Sequence, residues 1–223
     1  MKKPQEELKL PTIEFIKETI EPFEGNGSDQ PRLNIKEVYY SSIKNSHLAV
    51  TSLREKFPDN NNLSKIYLKV AAINTLYSTN IYDTYRIAYK IFNNVKNLDE
   101  RLKKFSPNLI GEIAKGHGIP SIAKEKNFYS FATKYCSFHN PNDYPIYDSY
   151  IQNLLIEYNK IEEFKFYDKK LSYSNFKDYS EFKEIINSFV KRFNLEQLRL
   201  KDIDKFLWMY SKQRDIKYFT QNI

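Results

Sequence analysis

Cysteine is nearly missing from this chain, with Cys136 the only one in 223 residues. No intramolecular disulfide can form, and neither a Cys-rich zinc site nor a cysteine-held iron–sulfur cluster has its ligands. Glycine is scarce at 5, which argues against glycine-rich nucleotide loops and a turn-dense β-sandwich. No run approaches the ~18 apolar residues of a membrane span. The start, MKKPQEELKLP, lacks the apolar stretch of a signal peptide. His117 and His139 do not have the spacing of a metal-binding pair, and no Gly-x-Ser-x-Gly supports a serine nucleophile. The absences lead to an expected cytoplasmic protein with no metal, no cofactor and no membrane association.

What is abundant is aromatic and basic. Aromatic residues make up 16%, with 18 Tyr and 16 Phe. The excess of Lys, Asn, Ile and Tyr is of the kind that AT-rich coding produces, so composition carries little functional weight. Apolar residues reach 41% and charged residues 28%, a globular balance. With 35 basic against 28 acidic residues the formal charge is +7. That mild basic excess favours polyanions through counterion release.

Periodicity is helical almost throughout. Residues 1–34 read as a peripheral N-terminal segment and linker. A helix is expected over Thr12–Ile20, broken by Pro22 and by Glu24-Gly-Asn-Gly-Ser-Asp-Gln-Pro31. Residues 35–223 read as a single all-α domain. Val38, Ile43, Leu48 and Leu53 mark helix before Pro58, and Asp59-Asn-Asn-Asn62 is a capping turn. Leu63–Leu76 follows the i, i+3, i+4, i+7 rule and reads as a central helix. Asp83 is a cap for Thr84–Asn94, which buries Ile87 and Ile91. Short helices are expected at Leu98–Phe105, at Asn108–Lys115 and at Ser121–Lys124, with Gly116-His-Gly118 a stop and Glu125-Lys-Asn127 a tight turn. Phe128–His139, the stripe Ile151, Leu154, Leu155 and Tyr158, the stripe Phe182 to Phe193, and Lys201–Lys212 complete the helices, with 159–178 a long loop. No alternating stretch reads as a strand.

The candidate site lies in Phe128–Tyr150. Asp148 in Pro145-Ile-Tyr-Asp-Ser149 stands at the start of a helix. Ser121 to Leu155 resembles the central part of the helix-hairpin-helix DNA glycosylases, the superfamily of endonuclease III and the adenine and 8-oxoguanine glycosylases. Ile119-Pro-Ser-Ile-Ala-Lys124 matches the first hairpin helix, Glu125-Lys-Asn127 the hairpin, Phe128–His139 the second helix, and Pro145–Tyr150 the loop with the catalytic Asp. The resemblance implies two helical lobes with a degenerate helix-hairpin-helix and a cleft between them. It implies duplex DNA as partner, and Asp148 as catalytic carboxylate. Ser130, eighteen residues before Asp148, stands where bifunctional members carry a Schiff-base lysine. That points to a monofunctional glycosylase. The family's hairpin Gly-x-Gly is replaced by Glu125, Lys126 and Asn127, and its four cluster cysteines are missing.

Breaking an N-glycosidic bond builds positive charge on the sugar, which a carboxylate beside C1′ stabilises. The base must leave the stack for an apolar pocket while a wedge fills the gap. Tyr77, Tyr144 and Tyr147, with Tyr82, are the stacking candidates. Thr79 or Asn80, in Leu76-Tyr-Ser-Thr-Asn80, is the wedge. Lys124, Lys126, Asn127 and Lys134 are the backbone-contact candidates. Each residue also has a structural reading: Asp148 as an N-cap, the tyrosines as core, the lysines as a solvated face, and Ser78 to Asn80 as a helix end. A non-catalytic DNA-binding relative and an all-α interaction protein are the two competing readings.

Overall fold

Four short polar side chains fix where helices begin. Asn62 accepts from the Ser64 amide at 2.8 Å, Asp83 from Arg86 at 3.0 Å, Asp148 from Tyr150 at 3.0 Å and Asp178 from Glu181 at 2.9 Å. Each satisfies an amide that the first helical turn leaves without a partner. In this computed structural model the backbone is described for residues 7–24, 35–120 and 125–220, and side chains for 7–21, 39–115 and 126–215. The fold is all-α. Among the described residues the helices are α1 Ile13–Glu24, α2 Ile35–Lys56, α3 Leu63–Leu76, α4 Thr84–Asn94, α5 Leu98–Lys103, α6 Pro107–Ala114, α7 Tyr129–His139, α8 Ser149–Lys160, α9 Tyr179–Arg192 and α10 Leu200–Thr220. No helix among them is long and apolar enough to cross a membrane.

The chain divides into two compact units: a terminal unit of Met1–Glu21 with Asp148–Ile223, and a central unit of Pro22–Tyr147. This division differs from the expected boundary at residue 34. Described residues of the N-terminal segment pack within the terminal unit. Ile16 and Ile20 of α1 are buried. Lys9 is held by two tyrosines of the same unit, its carbonyl accepting from the Tyr158 hydroxyl at 2.7 Å and its amide donating to Tyr210 at 3.0 Å.

The terminal unit has an aromatic interior. Tyr158 of α8 and Phe189 of α9 meet at 5.5 Å between ring centroids, with Phe193 at 4.9 Å and Phe166 at 5.3 Å from Phe189. Rings at these separations add to the gain from burying them. The stretch after α8 is ordered by Asn159. Its side-chain carbonyl accepts from Phe166 and Tyr167 amides at 3.1 and 2.8 Å, and its amide donates to the Lys169 carbonyl at 3.0 Å.

In the central unit the buried helix is α7, not α3. Phe131 to Phe138 are all buried, eight residues in succession. A helix enclosed on every side is a core helix. The expectation for α3 rested on its regular stripe, but only Ile66, Lys69, Val70 and Ile73 face inward, while Tyr67 and Leu68 are exposed. Periodicity locates a buried face without saying how many neighbours surround it.

A second departure follows α6. Lys115–Pro120 and Glu125–Asn127 are two short antiparallel strands, β1 and β2. Gly116-His-Gly118 therefore continues as strand, and Glu125-Lys-Asn127 is strand rather than turn. Two glycines penalise helix, and Pro120 drives Ile119 toward extended backbone. The expected helix Ser121–Lys124 falls outside the described residues.

Candidate functional site

The terminal unit begins at Asp148, whose carboxylate is half-buried and bound to the Tyr150 amide at 3.0 Å. The residue before it, Tyr147, is fastened to α7 of the central unit. The Tyr147 amide donates to the Thr133 hydroxyl at 3.1 Å, and the Tyr147 carbonyl accepts from the Ser130 hydroxyl at 3.2 Å. Thr133 in turn donates to the Ser130 carbonyl at 3.0 Å. The Lys134 ammonium donates to the Ser130 oxygen at 2.7 Å. One turn of α7 thus fixes the peptide that leads into Asp148, because residues i, i+3 and i+4 share a helix face.

Ser130, Lys134 and Tyr147 are therefore brought together. Lys134 is buried, with its charge directed at Ser130 rather than displayed to solvent. The Tyr147 ring packs 4.9 Å from Tyr129. Tyr144 lies elsewhere in the unit, fully inside the core. Its hydroxyl donates to the Arg101 carbonyl at 2.7 Å and accepts from the Ser106 amide at 2.8 Å. Burial pushes this phenol up to about 12. A ring so enclosed gives no face to a base without unpacking.

The segment expected to probe a DNA stack is a tight connection between α3 and α4. Asn74 organises it: its carbonyl oxygen accepts from the Thr79 hydroxyl at 2.9 Å and the Ile81 amide at 2.8 Å, and its amide donates to the Ile81 carbonyl at 3.0 Å. Thr79 is committed to that network. Asn80 is exposed, with φ 57°, in the left-handed region that asparagine tolerates. Tyr77 is partly buried as the residue that closes α3. Nearby, the Lys126 ammonium lies 5.0 Å from the Tyr82 ring centroid and 5.5 Å from Phe128. Asn127 is exposed on β2. Lys124 lies outside the described residues.

Sequence reasoning missed a buried polar cluster in the central unit. Lys69 is fully buried on α3 and donates to the Asp59 carbonyl and, at 3.0 Å, to the Asn60 side-chain oxygen. That oxygen also accepts from the Tyr135 hydroxyl of α7 at 2.7 Å. Asp99 closes the arrangement, accepting from the Asn60 amide at 3.0 Å and its side chain at 2.5 Å. Loss of water lowers the Lys69 ammonium to about 8. His139 packs on Tyr135 at 5.2 Å, and its Nε2 is buried with no hydrogen-bond partner. Burial lowers this imidazole to about 3, so it is neutral at ordinary pH. The signal in the chain is Lys65 and Lys69, one turn apart, beside Asp59-Asn-Asn-Asn62. These lysines tie the loop to α3, while Tyr135 ties it to α7 and Asp99 to α5. Cys136 is buried on α7 and its thiol is pushed up by loss of water, an inert position. Among the described residues no group of three or more His, Cys, Asp or Glu side chains is placed to hold a metal ion.

Residues 33–143 match a family model described as HI_0787_N, N-terminal domain. The matched stretch lies within the central unit, contains the buried polar cluster and ends before Asp148. The chain is also similar to a Haemophilus influenzae protein, named only "Uncharacterized protein", at 41% identity over 140 residues. That alignment spans 63% of this chain and 63% of the relative, less than two thirds of its length. No solved structure matches.

Proposed function

We propose that this chain is a DNA-binding protein resembling a monofunctional DNA N-glycosylase, with Asp148 as its catalytic carboxylate and duplex DNA as its partner. What supports the reading is the coupling of Ser130 to the Asp148 peptide. The α7 position that the resemblance pairs with the carboxylate is hydrogen-bonded, at 3.2 Å, to the carbonyl directly before it. Such a tether holds the backbone that leads into the carboxylate, and a held backbone is one requirement of a preorganised charge-stabilising group.

In this reading the C1′–N bond of an extruded nucleotide breaks with its electron pair leaving on the base. Asp148 stabilises the cationic sugar, and a water adds at C1′ while losing its proton to the carboxylate. Ser130 is a positioning residue, and no lysine at its place forms a Schiff base. Lys126 and Asn127 at β2, with Lys124, contact the backbone; Thr79 and Asn80 act at the gap; and Tyr77, Tyr147 and Tyr82 supply ring faces. Lys134 acts through Ser130. A cytoplasmic location and independence from an iron–sulfur cluster belong to the same reading.

The replacement of the hairpin glycines, with strands at Lys115–Pro120 and Glu125–Asn127, favours a second reading, a DNA-binding relative without catalysis. The experiment separating them is base release from duplexes that each carry one modified base, by wild type and Asp148→Asn. Asparagine retains the cap, so folding is preserved while base release falls at least about 100-fold, the scale of a lost transition-state charge contact. Equal release by the variant removes the catalytic assignment. Duplex binding without release from any member of the panel establishes the second reading. No duplex binding at low salt removes both and leaves an interaction protein.

A further inference from the structure

Helix α4 has two apolar faces. One holds Ile87, Ala88 and Ile91 and is buried in the central unit. The other is Tyr85, Tyr89 and Phe92, spaced i, i+4, i+7 on one side of the helix and exposed by 52%, 45% and 42%. Tyr67 of α3, 40% exposed, meets Tyr85 edge-on at 5.4 Å, and Tyr85 lies 6.4 Å from Tyr89. Tyr82, just before α4, is 91% exposed and sits under the Lys126 ammonium. Nine large apolar side chains are exposed among the described residues, and six fall between Tyr67 and Phe92. Isolated exposed rings need no explanation, but a contiguous row of them marks a binding surface.

The charges beside these rings select the occupant. From Leu63 to Lys96 the basic residues are Lys65, Lys69, Arg86, Lys90 and Lys96, and the one acid is Asp83. Lys69 is buried, and Asp83 serves as the cap of α4 and pairs with Arg86 at 3.0 Å. Lysines and an arginine beside a row of exposed rings suit phosphates alternating with flat bases. A duplex hides its base faces in its own stack, whereas a single strand presents them.

We infer that the α3–α4 face of the central unit binds single-stranded nucleic acid, stacking bases on Tyr67, Tyr85, Tyr89 and Phe92 while Arg86, Lys90 and Lys126 meet the phosphates. The site uses residues of the central unit alone, and its test probe contains no modified base. Its outcome is therefore separate from that of base release.

The test measures fluorescence polarisation of a labelled 20-nucleotide oligothymidylate, and of a duplex of equal length, with the full chain in low and moderate salt. The single strand binds more tightly than the duplex and weakens as salt rises. Tyr85→Ala/Tyr89→Ala/Phe92→Ala lowers single-strand affinity at least about tenfold, as loss of base stacking requires. Tyr89→Leu keeps the apolar bulk without the ring and lowers affinity in the same direction. Arg86→Ala/Lys90→Ala flattens the salt dependence. Circular dichroism and thermal melting confirm that the variants are folded. Unchanged affinity in the folded triple variant overturns the inference. So does sedimentation showing that wild type self-associates through these rings and the triple variant does not, since the surface is then a protein interface.

Discussion

The two units place aromatic rings in opposite settings. Around α8 and α9, Tyr158, Phe164 and Phe189 lie inside the terminal unit, with Tyr158 touching both phenylalanines. On α3 and α4 of the central unit, Tyr85 touches Tyr67 and Tyr89 on the outside, with Phe92 exposed one turn further along α4. Ring contact is common to both, so it does not distinguish core from surface. What differs is the surroundings: Phe189 is fully buried among further rings, whereas Tyr85 is half exposed to solvent. A buried ring contributes through the area removed from water, while an exposed one leaves much of that area in solvent.

The largest test of the contrast is Phe189→Ala against Phe92→Ala. Emptying the buried site costs about 3–5 kcal/mol, whereas the exposed one changes stability by no more than about 0.5 kcal/mol. Denaturant midpoints read both. Similar losses at the two positions would end the distinction between them.

Next in size is the acid response of the central unit. The His139 imidazole is lowered to about 3 in the fold, against 6.5 unfolded. Between those values the unfolded chain binds the proton and the folded chain does not. Stability therefore falls as pH drops from 6.5 toward 3, by up to about 4 kcal/mol. Above pH 6.5 this contribution is constant. Folding free energies across that range, for wild type and His139→Gln, isolate it. A slope that survives the substitution comes from other groups.

A smaller and opposite window belongs to Lys69, on the buried face of α3. Its ammonium is lowered to about 8 from 10.5, so above pH 8 the folded chain sheds a proton that the unfolded chain keeps. Stability contributed by this group rises between pH 8 and 10.5, by at most about 3 kcal/mol. Lys69→Met removes that rise. The measurement is best confined to pH 8–9.5, below the range in which tyrosines ionise. An identical profile in the variant shows that the buried ammonium is solvated in a way its hydrogen bonds do not reveal.

Several parts of the fold were legible because local physics suffices for them. Leu63–Leu76 and Thr84–Asn94 appear with the boundaries that their caps and stripes dictate. Asp148 is the cap of α8 as its place before a helical stripe required. The ring row on α4 was equally present in the spacing 85, 89, 92. The opposing stripe of Ile87 and Ile91 explained the helix without it, and no periodicity ranks two apolar faces by burial. The cluster around Lys69 was hidden for another reason. Asp59 to Asn62 reads as an ordinary turn until α7 delivers Tyr135, a residue 75 positions beyond Asn60.

By itself, then, the sequence determined the all-α class, the places where helices start, and the absence of a disulfide. These depend on neighbours within a few residues, where backbone hydrogen bonding and side-chain spacing act. Tertiary structure alone decided that α7 rather than α3 is the enclosed helix and that residues 7–21 belong with α8 and α10. It also turned Lys134 inward to Ser130, and left the rings of α4 facing water. Those outcomes depend on which surfaces meet across long separations in the chain, and burial is a property of the meeting, not of the residue.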